Sequence, residues 1–147
     1  MTFNVDIVAA AKANGFFRKV LSTGPNAQVV VMSIPPGGEI GMEVHEHVDQ
    51  VLAFVQGTGV AILDGVESAV GPDRLVHVPA GARHNVENRG TTDLRLFTIY
   101  APPQHAPGTI HQTKAEADAD EADHYVAPAC PVTTRSTAGP PPLIRGG

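Results

Sequence analysis

Side chains able to do chemistry crowd into one stretch, PPGGEIGMEVHEHVDQVLAFVQGTG at residues 35–59. On an extended strand, residues two apart share a face, so Glu43, His45 and His47 project to one side. Asp49 and Gln50 follow, at a turn or at the start of the next strand. Far along the chain, His84 stands in VPAGARHNVEN (78–88), just after a turn. Imidazole nitrogens with carboxylate or amide oxygens suit a divalent first-row ion such as Zn, Mn, Fe, Co or Ni. A lone histidine is ordinarily a surface or hydrogen-bonded residue; a Glu-x-His-x-His strand is a stronger sign of metal binding. If Glu43 stays off the ion, it becomes a general base beside it, and His47 could play the same part.

Such a cluster needs strands to hold it. AQVVVMSI (27–34), QVLAFV (50–55), GVAILD (59–64), RLVHVP (74–79) and DLRLFTIY (93–100) are strand-length and rich in β-branched residues. Turn signals separate them: TGPN, PPGG, QGTG, DG, GPD, AGA and NRG. Asp64-Gly65 is a tight-hairpin signal. Helix is expected only over residues 6–14 and in the acidic run at 116–123. Short strands at this spacing predict an all-β sandwich or barrel. In DLRLFTIY both alternating faces carry apolar groups, which suits two layers.

With these residues in hand, the chain resembles a small single-domain cupin over residues 30–100. The family's first motif runs glycine, His-x-His, glutamate, glycine. Gly37, Glu43, His45, Gln50 and Gly57 match its spacing. Pro79, Gly81, His84 and Asn88 match the second motif, with Asp73 at the position of its first glycine. The surrounding sequence is similar to a widespread bacterial cupin group labelled mannose-6-phosphate-isomerase-like. The resemblance implies a double-stranded β-helix (jelly roll) and a metal held by Glu43, His45, Gln50 and His84. Glu43 then replaces the family's first histidine, and Gln50 its glutamate. A rival register pairs His45 with His47 but leaves only two residues before Gln50, which breaks the family spacing. In the favoured register His47 neighbours the site or lies at its rim, and Asp49 is the other candidate if the turn bulges.

The resemblance further implies a metal-dependent enzyme acting on a small oxygenated metabolite without redox chemistry, isomerase-, epimerase- or lyase-like. The alternatives are a metal-dependent dioxygenase, for which three neutral histidines would be expected, and a non-enzymatic binder of a small ligand or metal. Family habit also implies a homodimer through residues 1–22.

The remaining residues carry structural expectations. Asn88 should serve a turn or an inter-strand hydrogen bond. His77 should be partly buried or line the barrel. Phe54, Met32 and Tyr100 should pack the core. His105 and His111 are expected on a surface loop, with cover of the barrel mouth as the alternative, and Arg18 in solvent or an interface ion pair.

Composition narrows the partners. The net charge is −5, and five acids lie within residues 116–123; the remaining ten balance the ten bases. That run should be a solvated helix or tether. No basic patch and few aromatics argue against nucleic acid. No apolar run is long enough to span a membrane. Cys130 is the sole cysteine, which excludes an internal disulfide and suits a cytoplasmic location. The expected organisation is an N-terminal segment (1–14), a barrel (15–110) and an acidic, then proline-rich tail (111–147).

Overall fold

In the computed structural model, residues 3–127 are described; the expected proline-rich tail beyond Ala127 lies outside them. Alternation of apolar side chains builds most of the strands. β1 (Arg18–Thr23), β2 (Gln28–Ile34), β3 (Glu43–Val44), β4 (Asp49–Gln56) and β5 (Gly59–Leu63) come first. β6 (Val66–Val70), β7 (Leu75–Val78), β8 (Arg83–Glu87), β9 (Leu94–Ala101) and β10 (Ile110–His111) follow. Two antiparallel sheets result, in the orders β10-β1-β2-β9-β4-β7 and β3-β8-β5-β6. The Asp64-Gly65 hairpin joins β5 to β6, both residues at positive φ.

Register decides what faces inward. Gln50, Leu52 and Phe54 of β4 stand opposite Tyr100, Thr98 and Leu96 of β9. All six are buried. They continue into Val30, Met32 and Ile34 of β2, and meet Ala61 and Val86 of the smaller sheet in one core. Phe54 and Met32 are therefore packing residues, as expected. Gly57 connects the layers: a Cβ there would collide with the Asp93 carbonyl.

The expected N-terminal helix is α1 (Ile7–Ala13), whose first turn is capped by Asp6 accepting from the Ala9 N–H at 3.0 Å. α1 packs on β9, β2 and β4. Asn88 does what was expected: its Nδ2 donates to the carbonyls of Ile34 and Thr92, each at 2.8 Å, and its Oδ1 accepts from Gly90 N–H.

Three expectations need correction. His77 lies on β7, an edge strand, with its side chain 55% exposed and 3.5 Å from Asp49; it does not line the barrel. His105 and His111 are buried rather than on a surface loop. Arg18 is also buried, because β10 pairs with β1 and sets His111 against it.

The acidic run begins as α2 (Lys114–Ala119), which buries no residue. Beyond α2 it is not all solvated. Asp120 and Asp123 turn back onto His111 and His105, and the Asp123 side chain is only 7% exposed.

Candidate metal centre

β3 and β8 pair so that Glu43 stands directly opposite His84. His45 follows two residues after Glu43, before the chain bends at 46–47. Among the described residues, one ligand atom each from Glu43, His45 and His84 lie within 4.8 Å of one another, a possible metal site. His45 Nε2 is 3.2 Å from Glu43 Oε2, without hydrogen-bond alignment. The two imidazole centroids are 5.2 Å apart.

Local structure orients both rings. The turn at Pro79–Ala82 closes through the Ala82 N–H donating to Pro79 O at 3.1 Å. Gly81, at φ +87°, donates its N–H to His45 O at 2.8 Å. His84 Nδ1 donates to Ala82 O at 3.0 Å, which leaves its lone pair on Nε2. Asp49 accepts the Ala80 N–H at 2.8 Å and stands exposed at this turn, so it braces the loop rather than joining the cluster.

Gln50 lies on the interior face of β4. Its Nε2 donates to Thr98 Oγ1 at 3.1 Å, and this fixes the amide so that Oε1 is the free end. That oxygen is buried without a hydrogen-bond partner, as are His45 Nε2 and His84 Nε2. His47 is exposed on the bend, outside the group formed by Glu43, His45 and His84. The burial of Glu43 would raise its pKa, but the adjacent His45 and the charge of Arg18 outweigh it, and the carboxyl is held below its ordinary value.

A second polar layer adjoins this cluster, and the motif spacing gave no sign of it. The Tyr100 ring meets His45 edge-on at 6.2 Å and His105 at 4.9 Å. Burial pushes the Tyr100 hydroxyl up to about 12, so it stays protonated and can donate. His105 Nδ1 donates to Asp123 Oδ2 at 2.7 Å. Gln28 holds the His105 backbone from both sides, accepting its N–H at 3.0 Å and donating to its carbonyl at 2.8 Å. Burial, outweighing Asp123, pushes the His105 pKa below its ordinary value.

Residues 30–100 match the Cupin domain family, and the chain belongs to that family. It is 45% identical over 125 residues to the uncharacterized protein YrkC of Bacillus subtilis, covering 81% of this chain and 67% of that one. The crystal structure of BH2720 from Bacillus halodurans is 42% identical, with a TM-score of 0.80 over 81% of this chain and 95% of that one. An oxalate-binding protein of Thermotoga maritima is 28% identical over 46% of this chain and 56% of its own length. The double-stranded β-helix expected from the motifs is the fold of this chain.

Proposed function

We propose that Glu43, His45 and His84, with the Gln50 amide oxygen as fourth donor, hold a divalent ion with which the protein acts on a small oxygenated metabolite in non-redox chemistry. The supporting observation is a set of three buried ligand-type atoms, on His45, His84 and Gln50, without hydrogen-bond partners. Each such atom costs about 1–3 kcal/mol if left unsatisfied, and one cation would satisfy all three. The donor set fits: two imidazoles, an amide oxygen and an ionised carboxylate suit a borderline divalent metal.

When bound, such an ion polarises a carbonyl or hydroxyl and stabilises the negative charge that develops on it. The chain's own groups do the rest. Glu43, ionised and partly open to solvent, becomes a general base when it is off the ion and can then take a proton from a carbon next to the polarised group. Tyr100, neutral and buried, can donate to a substrate oxygen. His47 can exchange protons with solvent from the rim, where it is exposed.

Elemental analysis of the purified protein should give about one divalent ion per chain. His45→Ala and His84→Ala should each lose it while keeping the β-rich circular dichroism spectrum. A metal-free wild type that cannot be loaded would end this reading. Oxygen uptake in the presence of Fe(II) and candidate substrates would replace it with a dioxygenase. A second reading, ligand binding without turnover, draws support from the name of the Thermotoga relative. It predicts a ligand that raises the melting temperature and is recovered unchanged.

A further inference from the structure

Arg18 is a buried cation that the metal centre does not use. It is 6% exposed, and its Nε has no hydrogen-bond partner. Among the described residues no carboxylate lies within ion-pair distance of it. Its Nη1 instead donates to His111 Nδ1 at 3.3 Å. That contact is to a ring nitrogen rather than to a carboxylate, and His111 Nε2 in turn lies 2.9 Å from Asp120 Oδ2. The Phe17 ring adds a weak cation–π contact at 5.3 Å.

A cation withdrawn from water with so little compensation is expensive to keep, and the usual remedy is an anion. The guanidinium fork is shaped for a carboxylate, which it binds through two parallel hydrogen bonds. The location suits one. Arg18 and Tyr100 are both buried on the inward faces of β1 and β9, two strands apart in the same sheet, and the Arg18 charge bears on both Tyr100 and Glu43. Tyr100 in turn meets the His45 ring edge-on. His105, against the other side of this network, adds a buried Nε2 without a partner.

We infer that Arg18, with the Tyr100 hydroxyl, is the carboxylate-binding subsite of this protein, and that its ligand is a small hydroxy or keto acid. The carboxylate lies on Arg18, and the hydroxyl or keto oxygen is directed toward Glu43, His45 and His84. Placement of that second oxygen rests on the metal-centre reading; the Arg18 subsite does not.

Calorimetric titration of the Mn(II)-loaded and metal-free protein with pyruvate, glycolate and hydroxyacetone tests this. Hydroxyacetone resembles pyruvate in size but lacks the charge. Pyruvate or glycolate should bind the wild type, and Arg18→Gln should weaken that binding by about tenfold or more. Arg18→Lys should retain part of it, and neither Mn(II) affinity nor any hydroxyacetone binding should fall. The inference is overturned if neither acid binds the wild type, or if Arg18→Gln leaves acid affinity unchanged. It is also overturned if the variant loses acid and hydroxyacetone binding in parallel. A purely structural role for Arg18 would lower the melting temperature and leave acid affinity intact. Should Arg18→Gln fail to fold, Tyr100→Phe removes only the hydroxyl, and unchanged acid affinity there overturns the inference. Failure of the wild type to take up Mn(II), with Arg18-dependent acid binding intact in metal-free protein, would instead remove the metal reading alone.

Discussion

Thr98 Oγ1, 3.1 Å from Gln50 Nε2, decides which end of the Gln50 amide is left free. Without it, the amide could rotate and present N–H groups where an oxygen ligand is needed. Thr98→Val, nearly the same size, should therefore weaken metal affinity by about tenfold or more, as loss of a partner that orients a ligand typically does. Titration with Mn(II) or Zn(II) checks this, and unchanged affinity would exclude Gln50 as a ligand. At this scale the sequence was informative where spacing is local. Glu43 and His45 lie two apart, and His84 follows a marked turn, so the resemblance could name them together. Arg18, His105 and His111 were misjudged for one physical reason. Their burial depends on β10 meeting β1 across 93 residues and on acids that fold back from beyond α2. No local periodicity records such contacts.

Among the elements, the turn at Pro79–Ala82 carries more than its length suggests. It ties the His45 backbone to the element that bears His84 and orients the His84 ring through the Ala82 carbonyl. Gly81→Ala keeps the turn only by placing an L side chain at φ +87°, at a cost of about 1–2 kcal/mol. Its melting temperature should drop by about 3–6 °C. Its metal affinity should fall as well, whereas Gly15→Ala, with nothing near its Cβ and no positive φ, should change neither. The segment after α2 makes a prediction in pH. Burial pushes Asp123 up, but the His105 hydrogen bond and the Ala106 N–H outweigh it, and the carboxyl is held at about 2 against 3.8. Its stabilising contribution is whole above about 3.8 and vanishes as the pH falls toward 2. His105, held neutral by burial, adds a loss that begins as the pH drops below 6.5, because the unfolded chain takes up the proton first. Both effects weaken the fold in acid. Melting temperatures measured from neutral pH downward should decline, and the gap between wild type and Asp123→Asn should close near about pH 2.

Over the whole molecule, the strand alternation and turn residues made an all-β sandwich or barrel legible, since a period of two survives without knowledge of pairing; the jelly roll itself came from the resemblance to the cupins. Pairing order did not emerge from periodicity: β2 meets β9 and β5 meets β8 across long intervals. Family habit suggested a homodimer, and we propose that residues 1–22 form its contact. α1 and the start of β1 line a groove that includes Phe16, Lys19 and Leu21, and Phe16 is 36% exposed. Sedimentation should then give twice the 15.3 kDa of one chain, and Phe16→Glu should shift it toward the monomer. A wild type that sediments at 15.3 kDa would refute the dimer.

The segment from Thr113 to Tyr125 is anchored by Asp120 on His111, Asp123 on His105, and the Tyr125 N–H on the Gln104 carbonyl, while α2 buries no residue. A piece fastened by polar contacts, with little apolar surface to lose, is drawn from the least stable part of a fold. Its amide hydrogens should exchange with deuterium well ahead of those in β2, β4 and β9. The rate should rise when Asp123 is replaced by asparagine and fall when a small acid occupies Arg18, because the network next to His105 would then be rigidified. The segment would thus record, in its exchange rate, whether the interior beneath it is filled.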